Sequence, residues 1–180
     1  MNKKETLLAG VFVIEANVFC DARGFFLESY NQRTMAQLGI HDLFVQDNHS
    51  FSTRNVLRGL HYQVKHPQGK LVRVAAGQIL DVAVDLRKNS PTFAKWDAVV
   101  LSGENKQSLW IPPGLAHGFR VMSDNAHVLY KASDFYYPEL EQTLAWNDHD
   151  LKIDWQLQGD PIISAKDQRG VSFRECVKFE

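Results

Sequence analysis

The chain has 180 residues, 44% of them hydrophobic and 11% aromatic, which suits a single compact domain over residues 1–180 with a substantial core. Its formal charge of -1, from 20 Lys plus Arg against 21 Asp plus Glu, excludes a global basic field for nucleic acid and a polybasic run for a membrane surface. No apolar run has the length of a membrane span. Two cysteines far apart, Cys20 and Cys176, in a chain without a charged-then-apolar leader point to a reducing, cytoplasmic compartment.

Early in the chain the one convincing helix covers residues 32–38 and is closed by Gly39. Beyond Phe44, short segments with a two-residue period alternate with Gly, Pro, Asn, Asp and Ser. Leu57-Arg58-Gly59-Leu60-His61-Tyr62-Gln63 and the following segment 70–76 read as neighbouring strands, which gather Arg58, His61 and Lys70. Hydrophobic patterning rarely puts so many ionisable groups together. In residues 79–87, Leu80, Val82, Val84 and Leu86 share one face while Asp81, Asp85 and Arg87 take the other, so the spacing predicts a half-buried strand. Further strands are expected at 96–101, 108–111, 118–122 and 127–133, with turns at 88–91, 103–105 and 123–125. Many short strands at even spacing predict an all-β fold, a jelly-roll or closed barrel with a few short helices.

The chemistry gathers around His61. Its unperturbed pKa suits proton abstraction near neutral pH, and Lys70 suits stabilisation of an oxyanion as it forms. A bland alternative for Lys70 is a solvated strand end beside Gly69. Arg58 and His61 have opposite parity and should face opposite sides unless Gly59 marks a bulge. Pro112-Pro113-Gly114-Leu115-Ala116-His117 is a turn that presents His117 at the start of a strand, where a loop-capping role is the ordinary one. Tyr130 shares parity with Val128 and Ala132, so its phenol points inward either as a core tyrosine or as a site residue. Asp167 reads as a helix cap, or, if near His61, as the group that fixes its tautomer. Metal-binding jelly rolls of the cupin type carry His-x-His and an acid on the first strand pair. Here Gln63 replaces the second imidazole, the acid is absent and Lys70 would repel a cation, so no metal is expected.

Several motifs in order resemble one family. Asp21-Ala22-Arg23-Gly24-Phe25-Phe26-Leu27-Glu28, Gln46-Asp47-Asn48-His49-Ser50, Arg58-Gly59-Leu60-His61-Tyr62-Gln63, Gly69-Lys70-Leu71-Val72-Arg73-Val74, Asp81-Val82-Ala83-Val84-Asp85-Leu86-Arg87, Pro113-Gly114-Leu115-Ala116-His117-Gly118-Phe119 and Ser164-Ala165-Lys166-Asp167 look like the successive motifs of dTDP-4-dehydrorhamnose 3,5-epimerases, over residues 10–167. The resemblance implies a cofactor-free, homodimeric cupin-type jelly roll of dTDP-L-rhamnose biosynthesis that inverts C3 and C5 of a dTDP-4-keto sugar. It implies His61 as base with Asp167 behind it, Tyr130 as acid on the opposite face, and Lys70 at the C4 oxygen. By the same match, Arg23, Glu28, Gln46, Asp47, Asn48, Arg58, His117, Glu141 and Lys166 contact the nucleotide sugar.

Two departures stand out. Ala94 lies where the family commonly has glycine, and Tyr136-Tyr137-Pro138 varies in a region that shapes the base and sugar pocket. Neither touches the proton-transfer groups. Two other functions share these residues: inversion at C3 or C5 alone, and sugar-nucleotide binding without turnover.

Overall fold

The computed structural model describes residues 1–180. Its strands, in chain order, are β1 (Asn2–Glu5), β2 (Phe12–Glu15), β3 (Val18–Asp21), β4 (Gly24–Leu27), β5 (Gln46–Thr53), β6 (Val56–Gln63), β7 (Lys70–Ala76), β8 (Gln78–Asp85), β9 (Trp96–Ser102), β10 (Gln107–Ile111), β11 (Leu115–Val121), β12 (Asn125–Ala132), β13 (Glu141–Thr143) and β14 (Ile162–Ile163). One sheet runs β1-β2-β10-β7-β12-β5 and the other β13-β6-β11-β8-β9, with β14 added to β6; β3 and β4 form a separate hairpin. This is the expected all-β jelly roll. The strands expected from periodicity are present within a few residues of their predicted ends. No helix is long and apolar enough to cross a membrane.

The single α-helix, α1 (Gln32–Gln37), starts where Asn31 accepts hydrogen bonds from the backbone N–H groups of Arg33 and Thr34. It stops at Gly39, whose φ of +89° lies in the left-handed region. Met35 and Ile40 pack on Ile14, Leu71 and Trp110, so this short element covers the outer face of the first sheet.

Between the sheets lies a dry core. Val72, Val74, Leu109, Ile111 and Val128 meet Ile79, Ala83, Leu101, Leu115, Phe119 and Val121. A second cluster lies on the far side of the other sheet, where Leu57, Leu60, Leu80, Val82, Val84 and Leu86 are roofed by Leu144, Leu151, Trp155 and Cys176 of the C-terminal segment. That roof corrects the sequence expectation for β8. Both faces of this strand are buried, and Asp81 and Asp85 point into the barrel rather than into water.

A second correction concerns β6 and β7. They are consecutive in the chain but hydrogen-bond in different sheets, so Arg58 and His61 face Lys70 across the barrel rather than along one sheet. The hairpin β3–β4 was not visible in the pattern because it is exposed along its whole length except at Leu27, which leaves no hydrophobic alternation to read.

Candidate active site

A cavity of about 370 Å³ opens at one end of the barrel, between the two sheets. From the first sheet come Gln46, Asn48 and Ser50 of β5, Lys70 of β7 and Tyr130 of β12; from the second come Arg58 and His61 of β6 and His117 and Phe119 of β11. Gln68, Tyr136, Glu141 and Lys166 complete the lining. His61 and Tyr130 therefore stand on opposite walls of one chamber.

A bulge explains how Arg58 and His61 share that wall. His117 pairs with His61 and Phe119 with Arg58, so three steps along β6 match two along β11. Gly59 carries the extra step with φ of +102°, and a Cβ there would meet the His117 carbonyl oxygen at 2.6 Å. Only glycine fits.

The His61 ring is oriented from behind. Asp167, 3% exposed, sets its Oδ1 2.6 Å from His61 Nε2, while its Oδ2 accepts from the Gly59 N–H at 3.3 Å. A carboxylate only accepts, so Nε2 carries a proton, and in the neutral ring the lone pair is therefore on Nδ1. Burial pushes the Asp167 carboxyl up, but the hydrogen bond and charge of His61, with Gly59 and Ser164, outweigh it and hold the group below its ordinary value. Across the chamber, burial pushes the Tyr130 phenol up against the opposing pull of Arg58, so the hydroxyl keeps its proton at neutral pH. The half-buried Lys70 ammonium makes a single long contact, 3.5 Å to the His61 carbonyl oxygen. Desolvation lowers its pKa to about 8, opposed by the negative charge of Asp81.

At the rim, Glu141 accepts from Lys166 Nζ and, at 2.9 Å, from the Tyr136 hydroxyl, with its other oxygen 3.9 Å from His61 Nδ1. Gln63, which stands where a metal site would want an imidazole, donates to the His66 and Phe135 carbonyls and accepts from the Tyr137 N–H. It fixes the loop that carries Tyr136. The Nε2 atoms of His61 and His117 both face carboxylates, and Lys70 lies in the same chamber, so this donor set suits proton transfer rather than a divalent ion.

Three expected contact residues stand elsewhere. Arg23 lies at the tip of the β3–β4 hairpin, paired with Asp21 at 2.5 Å and 89% exposed. Glu28 follows that hairpin and accepts from Asn31. Asp47 has the opposite parity to Gln46 and Asn48, so it points to the outer face and pairs with Lys131 at 2.9 Å. Tyr136 lines the cavity, as its pocket-shaping region suggested; Ser50, Gln68 and Phe119 as lining residues, and Asp81 behind His117, were not singled out. Ser50 was legible from its parity with Gln46 and Asn48. Asp81 was not, because its face was read as solvent.

Comparison with known proteins places the chain by sequence and fold. The family model described as dTDP-4-dehydrorhamnose 3,5-epimerase matches residues 5–175. A Pseudomonas aeruginosa protein of that name is 55% identical over 98% of this chain and 99% of its own length. The crystal structure of a Legionella pneumophila dTDP-6-deoxy-D-glucose-3,5-epimerase in complex with dTDP-4-keto-L-rhamnose superposes with a TM-score of 0.94 at 47% identity, covering 97% of this chain and 93% of that one. A Bacillus anthracis dTDP-4-dehydrorhamnose 3,5-epimerase with TDP and PPi bound gives 0.92 at 40% identity, over 96% and 99%. With residues 5–175 matched by the family model and nearly the whole chain matched in sequence and fold, the chain belongs to the dTDP-4-dehydrorhamnose 3,5-epimerase family.

Proposed function

We propose that this protein converts dTDP-4-dehydro-6-deoxy-D-glucose into dTDP-4-dehydro-L-rhamnose by inverting C3 and C5. The carrying observation is the shared chamber: an imidazole with a free Nδ1, backed by Asp167, faces a protonated phenol from the opposite sheet.

The chemistry follows from the C4 ketone. A carbon-bound hydrogen beside it becomes acidic only as the electron pair of the breaking C–H bond moves onto the carbonyl oxygen. His61 Nδ1 takes that proton, the resulting imidazolium is supported by Asp167, and the Lys70 ammonium stabilises the oxyanion. Tyr130 then donates its hydroxyl proton to the same carbon from the other face. The tyrosinate regains a proton from solvent and His61 releases one, which resets the site. Proton removal and return balance without a redox partner or group carrier, so the reading needs no cofactor. Arg58 and Lys166 supply positive charge for the diphosphate, and Tyr136 offers an aromatic face to the base.

A homodimer is part of the same reading. Phe19, Phe25 and Phe26 on the β3–β4 hairpin are 64%, 60% and 70% exposed, a dense apolar surface for one chain in water. A second copy covering it would also bring Arg23 and Glu28 out of solvent. Light scattering on the purified protein tests this directly, and a monomer at micromolar concentration removes it.

The decisive assay for turnover is NMR of the 4-keto sugar nucleotide in deuterated water. Deuterium at both C3 and C5 is expected. Incorporation at one carbon alone would reassign the protein as a single-site epimerase, like the 3'-monoepimerase from Streptomyces bikiniensis that shares its fold at 30% identity. Binding with no exchange would leave a sugar-nucleotide-binding module.

A further inference from the structure

Below the chamber lies a charged group that none of the proton transfers uses. Asp81 on β8 is fully buried, and its Oδ1 sits 2.7 Å from His117 Nε2. Its Oδ2 has no hydrogen-bond partner at all. A buried carboxylate with one unsatisfied oxygen is costly, and a site normally removes such a cost by pairing. Lys70 has the complementary deficit. Half-buried at the chamber wall, it has no carboxylate within salt-bridge distance and one long bond to a carbonyl. Both face the barrel interior, from opposite sheets, because Asp81 shares its inward parity with Ala83 on β8 and Lys70 shares its own with Val72 on β7.

We infer that Asp81 is a positioning residue for the proton-transfer site: its carboxylate anchors the His117 ring through Nε2 and keeps the Lys70 ammonium charged beside the reacting sugar. This rests on the epimerase reading and deepens it. Asp81 touches no substrate, since it does not line the cavity. It acts through the two residues in front of it.

The electrostatics around Lys70 support this role. The groups that line the chamber with it are Arg58 and His61 from β6, His117 from β11 and Tyr130 from β12, with Glu141 and Lys166 at the rim. Arg58 opposes a second cation, Tyr130 is neutral, and Glu141 is engaged by Lys166 and Tyr136. Asp81 alone favours the ammonium, against desolvation that has already brought its pKa to about 8. Oxyanion stabilisation needs the proton on Lys70, so losing the carboxylate lowers the pH at which the site stops working. The pairing also has a parallel on the neighbouring strand of the same sheet. Asp167 holds His61 by Nε2 as Asp81 holds His117 by Nε2, leaving each ring one further nitrogen.

Asp81→Asn separates charge from packing, because the amide keeps an acceptor for His117 Nε2–H at nearly the same size. Three readouts are expected together. Turnover at pH 7.5 falls about tenfold or more, as for removal of an electrostatic stabiliser. The alkaline limb of the kcat profile moves to lower pH by about one unit, while KM for the sugar nucleotide stays within about threefold. The Lys70 resonance, followed by NMR in protein labelled at the lysine side-chain carbon, titrates at lower pH by the same amount. Should Asp81→Asn not fold, Asp81→Ser supplies the same readouts with a smaller neutral side chain.

An Asp81→Asn protein in which Lys70 titrates as in wild type overturns the inference, whatever its turnover. So does lowered turnover with an unmoved alkaline limb, the result of mere structural damage. A wild-type chain that exchanges no deuterium, yet whose Lys70 titration shifts on Asp81→Asn, removes the epimerase reading and supports the electrostatic coupling.

Discussion

Two aspartates on β8, four positions apart and both fully buried, have opposite surroundings. Asp85 is saturated. It accepts from the Arg87 N–H at 3.0 Å and Arg87 Nε at 2.9 Å, from Arg87 Nη2 at 2.8 Å, and from the Ser90 and Thr92 hydroxyls at 2.5 and 2.7 Å. Asp81 has one imidazole and a bare oxygen. Networks whose members are all satisfied rigidify a structure, whereas an unpaired polar atom in the same low dielectric is costly. The turn end of the strand is thus a lock for the β8–β9 connection, and the pocket end is a polarised surface. Substitutions at the two ends should separate stability from turnover.

The largest effect is expected at the pocket end. His61→Ala removes the base and should cut deuterium exchange at both carbons by about 10²–10⁴-fold, with the melting temperature unchanged. Tyr130→Phe should retain more exchange than it retains completed inversion, because the first proton still leaves. Equal loss of both in the phenylalanine variant would move the phenol from donor to base. A large drop in melting temperature for His61→Ala would dissolve the distinction between the two ends.

At the turn end, Asp85→Ala leaves the Arg87 guanidinium and two hydroxyls without their shared acceptor. Breaking a buried pair from one side costs about 3 kcal/mol. Chemical denaturation should show that loss, with kcat of the remaining folded protein close to wild type. Similar stability in the variant would mean that Arg87, which also donates to the Ala9 carbonyl, holds the turn without the carboxylate.

pH sharpens the same contrast because the two ends titrate on opposite sides of neutrality. Burial pushes Asp85 up, but Arg87, Ser90 and Thr92 win and bring its pKa to about 2, against 3.8 for the unperturbed group. A depressed carboxyl adds stability above its unfolded pKa and loses it as pH falls. About 2 kcal/mol should therefore disappear between about pH 4 and pH 2, and Asp85→Asn should flatten that segment of the stability curve. Lys70 works the other way: at about 8, its ammonium is lost as pH rises, so kcat should fall above pH 8 while the protein stays folded. An alkaline limb that begins only near pH 10 would take Lys70 out of the chemistry.

Much of the site was legible for a physical reason. Arg58, His61, Lys70 and Tyr130 are ionisable side chains at inward positions of apolar strands, a pattern that packing alone does not produce, and Gly59 announced the bulge that reconciles them. The Asp167 partnership came from motif order, since nothing local distinguishes it from a cap. Asp81 stayed hidden because strand alternation says which residues share a face and not whether that face meets water. Only the roof of Leu144, Leu151 and Trp155, far along the chain, decides that β8 is buried twice. Arg23 lies on, and Glu28 just after, a hairpin with no interior of its own, so motif order could name them while neither reaches the cavity of the single chain.

The smallest expected effect lies beside the lock. Ala94 has φ of +62°, in the left-handed region where a Cβ crowds the following carbonyl, and its N–H donates to the Asp85 carbonyl at 3.0 Å. Glycine relieves that crowding, at the cost of extra freedom in the unfolded chain. The balance favours Ala94→Gly by about 0.5–1 kcal/mol, readable as a rise in melting temperature of a few degrees. Turnover and its pH profile should stay unchanged, because the turn that Asp85 fixes is built identically and the cavity is not touched. A glycine variant that gains stability but loses turnover would mean that the lock and the chamber communicate along β8, and the separation of its two ends would fail.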